Sequence, residues 1–177
     1  MSAFTKGVIK FMWAAFAVCI VVAVIIFALI YNGVIGYMPQ IEELKNPTDK
    51  FASVVMSDDG VELGRYFRDK SNRVYVDFDE LSPHLTNALI ATEDVRFEDH
   101  SGIDARGLFR AIVKRGIFMQ KNAGGGSTIT QQLAKNMYFS FDKQIERKVA
   151  ELLVAFKLES MYSKDEILAL YCSVAYF

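Results

Sequence analysis

The chain has two cysteines and three prolines among its 177 residues, and its formal net charge is only −1. Cys19 falls inside a long apolar run and Cys172 lies near the far end of the chain, so neither a disulfide framework nor a cysteine-based metal cluster follows. No internal repeat or low-complexity tract is present, and no nucleic-acid partner is implied. The glycine-rich stretch at residues 123–136 lacks the Gly-Lys-Ser/Thr of a P-loop, which makes a nucleotide phosphatase a poor fit.

What is present begins with an apolar run. Residues 11–31 read FMWAAFAVCIVVAVIIFALIY without a charge, about the 20 residues needed to cross roughly 30 Å of hydrocarbon. A cleaved signal peptide competes with this reading, but the run exceeds the roughly 7–15 residues of a signal h-region, and residues 31–37 make a poor small-residue cleavage site. Lys6 and Lys10 precede the run, and the first charges after it are Glu42 and Glu43. That bias places residues 1–10 in the cytoplasm and everything after residue 31 outside or in the periplasm.

Beyond the anchor, 52% hydrophobic and 23% charged residues overall leave room for one ordinary domain. Residues 32–81 read as a juxtamembrane connection followed by a β-hairpin: 52–56, a turn at Ser57-Asp58-Asp59-Gly60, then 61–67. Alternation over 73–78 predicts a third strand. From residue 82 to 177 the pattern turns helical. Ser82 and Pro83 open a helix predicted to run to about Phe97, followed by helices from Ala105 to about Phe118, Thr130 to about Tyr138 and Lys143 to about Met161. Ile145, Val149, Leu152 and Phe156 form the expected apolar stripe of the fourth. Ser163 and Glu166 then have capping-box spacing ahead of a fifth.

Charge is uneven along the chain: residues 40–94 carry 6 basic and 12 acidic side chains, and residues 95–150 carry 10 basic and 5 acidic. The basic stretch is either a solvated surface or the footprint of an anionic ligand. Glu93 follows Leu89 by four residues and Leu85 by eight, so helical geometry puts it on the flank of the apolar face, where partial desolvation is expected. Desolvation makes a carboxylate a better proton acceptor near neutral pH, as general-base catalysis requires. The bland alternative is a helix-end glutamate paired with Arg96. Thr128 and Gln131 have capping-box spacing at the end of the Gly-rich loop, whose helix start is either a phosphate site with Lys135 adding charge or an ordinary surface loop. Arg147, Lys148 and Glu151 form a charged face, read either as a site or as a solvated Arg147–Glu151 pair.

Three stretches in order are recognisable: EDVRFEDHSG at 93–102, GGSTITQQLAKN at 125–136, and RKVAE at 147–151 continuing through Leu158-Glu159, Ser163-Lys164 and Ile167-Leu168. They resemble the signature motifs of the peptidoglycan glycosyltransferases, family 51, found in bifunctional class A penicillin-binding proteins and monofunctional transglycosylases. The resemblance covers roughly 83–171. It implies a mainly α, lysozyme-like domain, part of it embedded in the outer face of the bacterial cytoplasmic membrane. It implies polymerisation of lipid II onto a glycan chain, with inversion at the sugar and release of undecaprenyl pyrophosphate.

By the same resemblance Glu93 takes the proton of the attacking hydroxyl. Glu151 sits at the donor pyrophosphate, holding a divalent cation such as Mg or Mn or orienting basic groups, while Lys135, Lys143, Arg147 and Lys148 balance the departing charge. Thr128 and Gln132 line the cleft, and Asp94, Phe97 and His100 support the base. Cell-wall synthesis proteins are the implied partners.

The pattern departs after Tyr171, where the family continues Leu-Asn and this chain reads Cys172-Ser173. About 80 further residues would complete such a domain, and a helical domain cut part-way exposes apolar faces. The competing expectation is therefore a truncated, inactive membrane-anchored fragment that binds lipid II or cell-wall synthesis partners. A lytic lysozyme-like enzyme is a third.

Overall fold

The structure, a computed structural model, describes residues 3–47, 51–66, 73–114, 125–139 and 145–175. The chain forms two compact units, one of residues 1–38 with 144–150 and one of residues 39–143 with 151–177.

The first unit is dominated by α1 (Ala3–Tyr31). Its Phe4–Tyr31 segment has a mean hydropathy of 3.0 and is the one helix among the described residues long and apolar enough to cross a membrane. The helix starts ahead of the uncharged run, so Lys6 and Lys10 lie on its first turns. It ends where the run ends. Gly33, at φ 69, lets its own amide reach Ile30 O at 3.0 Å and the Val34 amide reach Leu29 O at 2.9 Å. This is a Schellman arrangement that satisfies the last helical carbonyls. Asn32 Nδ2 donates to Ala28 O at 2.7 Å.

The second unit begins with α2 (Ile41–Lys45). The sequence reads this stretch as a connection, yet Leu44 is fully buried, with its carbonyl accepting from Tyr162 Oη at 2.7 Å. Strands β1 (Ser53–Met56) and β2 (Glu62–Tyr66) form the expected antiparallel hairpin. Ser57 closes its turn by accepting the Gly60 amide at its carbonyl and the Val61 amide at its hydroxyl.

The expected third strand at 73–78 does not form. Its Val76 amide donates to the side chain of Ser173 at 3.0 Å instead of to a strand. The segment's start stays beside the hairpin, with Arg73 O accepting the Ala52 amide at 2.7 Å, while Val76 turns to the helical body.

That body comprises α3 (Pro83–Glu93), α4 (Ala105–Ile112), α5 (Ile129–Tyr138), α6 (Ile145–Met161) and α7 (Lys164–Val174). Helix α6 contributes its residues from Glu151 onward to this unit. Helices α5 and α7 pack together, burying Ile129, Leu133, Ile167, Leu168 and Leu170. The cap at Ser163 forms in full and the one at Thr128 in one arm, because the Gln131 side chain donates to Gly102 O instead. Thr128 accepts the Gln131 amide, and Ser163 exchanges hydrogen bonds with Glu166 in a complete capping box.

Two helical expectations are corrected. Helix α3 stops at Glu93, short of Phe97, because Asp94 leaves the helix at φ −155, ψ 74. On α6 the buried face is Glu151, Val154, Ala155 and Leu158, while Phe156 is 58% exposed. The large side chains suggested the wrong stripe because this helix is approached closely on its small-residue side. A Cβ on Gly102 would lie 3.0 Å from Ala155 O, and Gly102 itself has φ +82.

Candidate active site

Glu93 is the last residue of α3, and its carboxylate projects into a cleft of about 320 Å³. The walls come from the end of α3 and its continuation to Arg96, from Gly107 and Arg110 on α4, and from 125–128 with Gln132. Glu93 is exposed to this cleft, so the expected desolvation of its side chain is not found. The last turn of α3 carries it past the packed face that holds Leu89. Nor does Glu93 pair with Arg96. Its partner is Gln132, whose Nε2 donates to Glu93 Oε2 at 2.8 Å. The Gln132 carbonyl accepts from Tyr171 Oη at 3.2 Å.

Arg96 turns instead to Asp104, which it grips through two guanidinium nitrogens. Burial pushes the Asp104 carboxyl up, but hydrogen bonds from Arg96 and the Gly107 amide outweigh it and hold the group below the ordinary carboxylate range. Gly107 leaves this pair its space, since a Cβ there would collide with the Asp104 carboxylate.

Behind Glu93, Asp94 is 6% exposed. Both of its oxygens lie 3.1 Å from His100 Nε2, and one also accepts the Ile129 amide at 3.1 Å. Thr128 Oγ1 and Gln131 Nε2 donate to Gly102 O at 2.7 and 3.0 Å. Phe97 is fully buried, with the Lys164 ammonium 4.2 Å from its ring centre. Lys164 also donates to His100 O at 2.6 Å and to Glu159 at 2.9 Å, and Glu159 accepts from Thr130 Oγ1 at 2.6 Å. Stretches far apart in sequence are thus tied into one support beneath the cleft floor.

This support changes the reading of the Gly-rich loop. Residues 128–131 at the start of α5 are buried, and the amides of Ile129 and Gln131 are taken by Asp94 and Thr128. The helix start is therefore closed to a phosphate. The residues that face the cleft are Gly125, Gly126 and Ser127, just before it.

Of the other predicted residues, Thr128 and Gln132 line the cleft with Glu93 and Asp94, whereas Phe97 and His100 belong to the support. Lys135 is half-buried on α5, outside the cleft wall. Glu151 is 1% exposed, so it belongs to no solvated face. Arg147 and Lys148 lie on the part of α6 assigned to the first unit, half-buried and exposed respectively. Lys143 lies outside the described residues. Among the described residues no three His, Cys, Asp or Glu side chains converge as a metal site, and Cys19 and Cys172 are both unbridged. Sequence reasoning gave no role to Arg110, Glu159, Lys164 or Tyr171. Only Glu159, Lys164 and Tyr171 lay in or beside quoted motifs.

Residues 59–177 match the family model described as Transglycosylase. The chain belongs to the transglycosylase family. The lysozyme-like, mainly helical fold expected from the motifs is that of this family's domain. Penicillin-binding protein 1A of Escherichia coli (strain K12) is 35% identical over 147 residues, 83% of this chain and 17% of the relative. Penicillin-binding protein 2a of Streptococcus pneumoniae (strain D39) is 48% identical over 103 residues, 58% of this chain and 13% of the relative. Penicillin-binding protein 1F of Bacillus subtilis (strain 168) is 40% identical over 126 residues, 71% of this chain and 17% of the relative. The transglycosylase chain described here thus spans less than a fifth of the length of these three proteins.

Proposed function

We propose that this protein is a peptidoglycan glycosyltransferase of cell-wall synthesis that polymerises lipid II. The observation that carries the reading is the exposed Glu93 carboxylate in a cleft, with one oxygen held by Gln132 at 2.8 Å. Its other oxygen is left to receive a proton. The acceptor's 4-hydroxyl attacks C1 of the donor sugar as Glu93 takes the hydroxyl proton. The C1–O bond to the pyrophosphate breaks, undecaprenyl pyrophosphate departs with the bonding electrons, and the configuration at C1 inverts.

A positioned base contributes about 10²–10⁴-fold, so stabilisation of the leaving group carries much of the remainder. By the family resemblance Lys135, Lys143, Arg147 and Lys148 balance the departing charge, and Arg110 adds a positive charge to the wall of the Glu93 cleft. Asp94, Phe97 and His100 hold the base in place, while Thr128 and Gln132 shape the cleft. Glu151 would be the carboxylate to hold a Mg or Mn ion accompanying the pyrophosphate, because magnesium is commonly held by one or two carboxylates plus substrate phosphates. Bound there, it would neutralise phosphate charge.

The apolar helix anchors the protein in the cytoplasmic membrane with its N-terminus inside, following the Lys6 and Lys10 bias. Exposed Leu108, Phe109 and Ile112 on α4 suit contact with the outer membrane face, where lipid II resides. Growing glycan and cell-wall synthesis proteins are the proposed partners.

The test is to incubate the detergent-solubilised protein with lipid II and separate the products. Glycan polymer with equimolar release of undecaprenyl pyrophosphate supports the proposal. Lipid II binding without polymer would leave a binding protein, and soluble muropeptides released from finished sacculi would indicate a lytic enzyme. Either result overturns the polymerase reading.

A further inference from the structure

We infer that Tyr171 is a positioning residue for Glu93, acting through the side-chain amide of Gln132. The inference rests on the reading of Glu93 as the base. Tyr171 projects from α7, is 6% exposed, and has its hydroxyl 3.2 Å from Gln132 Oε1. The opposite end of the same amide donates to Glu93 Oε2 at 2.8 Å.

A primary amide is nearly symmetrical in shape and opposite in hydrogen-bonding character at its two ends. Turned by 180°, Gln132 would present its carbonyl oxygen to the Glu93 carboxylate, acceptor against acceptor. The acceptor-only Glu93 carboxylate demands the NH2 end, and the Tyr171 hydroxyl, donating to the carbonyl end, adds a second hydrogen bond that holds the amide in this orientation. Burial, then the nearby Glu93 charge, pushes the Tyr171 phenol up, so it keeps its proton and remains a donor across the working pH range. Packing of α5 against α7 fixes the distance between the two side chains. The result is a directed chain in which Tyr171 donates to Gln132, and Gln132 donates to Glu93. One carboxylate oxygen is thereby anchored and the other faces the cleft.

This differs from a tyrosine kept only to fill the core. Tyr171→Phe retains the ring and removes only the oxygen. In the intact protein the inference predicts a kcat for lipid II polymerisation lowered about fivefold to tenfold, as for one lost hydrogen bond felt at the reacting group, with KM nearly unchanged. It further predicts no additional loss when Tyr171→Phe is combined with Gln132→Ala, because the path from Tyr171 to Glu93 is already cut. Equal losses from Tyr171→Phe in both backgrounds, an unchanged kcat, or a fall that tracks a loss of folded protein by thermal unfolding would overturn it. Glu93→Gln, assayed alongside, separates the two levels. If Glu93→Gln is inactive and Tyr171→Phe is fully active, only the positioning role fails; if Glu93→Gln polymerises normally, the reading of Glu93 as base fails and takes this inference with it.

Discussion

The Asp94 carboxylate accepts the Ile129 amide at 3.1 Å, so the residue immediately after Glu93 caps the helix that carries Gln132. Glu93 and Gln132 are thus linked through the neighbouring Asp94–Ile129 hydrogen bond as well as through their own side chains. Replacing Asp94 by Ala strands a buried amide and the His100 ring, and about 2 kcal/mol of stability should be lost. Chemical denaturation of the second unit in the intact protein measures this. An unchanged midpoint would mean that the cap carries no energy.

Gly102 and Gly60 offer a matched pair. Both have positive φ, +82 and +79, but a Cβ at Gly102 meets Ala155 O at 3.0 Å while one at Gly60 meets nothing. Gly60→Ala should cost about 1–2 kcal/mol, the left-handed backbone penalty alone. Gly102→Ala should cost clearly more, because α6 must also shift. Equal urea midpoints for the two variants would show that the close approach is not stabilising.

Lys164→Met removes the ammonium that bridges Glu159, His100 O and the Phe97 ring. Glu159 is then left buried with Thr130 as its remaining partner of that cluster. Breaking such a pair should cost roughly 3 kcal/mol. The double variant Lys164→Met with Glu159→Gln should recover part of this loss, read as the thermal midpoint.

Asp104 and Glu166 both have carboxyl groups held below their ordinary values. For Asp104, burial opposes and Arg96 and Gly107 prevail; for Glu166, the Ser163 amide and then its hydroxyl act. A depressed folded-state value binds fewer protons than the unfolded chain, so the stabilisation is present above the unfolded values of about 3.9 and 4.3. It is lost as pH falls through the lower folded values. Stability should therefore decline on acidification below about pH 4.3, and Asp104→Asn should flatten that decline. An equally steep acid limb in Asp104→Asn would contradict the assignment.

Much of the helical scaffold is legible in the sequence because its signals are local. Ser163 and Glu166 lie three residues apart and form the capping box their spacing predicts, and Thr128 caps the Gln131 amide three residues on. The apolar run names α1 by length alone. What stays hidden depends on distant neighbours. The end of α3 is set by Asp94 reaching Ile129, and the buried face of α6 is set by Gly102 approaching Ala155. The failed third strand reflects Val76 finding Ser173, 97 residues away. At the site, motif spacing locates Glu93 but mistakes its surroundings: the partner is Gln132, 39 residues on, in place of the nearer Arg96. Tyr171 is equally distant from Gln132 and reads, in sequence, as one more core aromatic.

The most direct test of the account is the lipid II polymerisation rate of the intact protein beside its Glu93→Gln variant, with folding matched by thermal unfolding. Loss of the base should lower kcat by about 10²–10⁴-fold while the variant keeps its affinity for lipid II. A Glu93→Gln enzyme that polymerises at the unmodified rate would contradict the central claim.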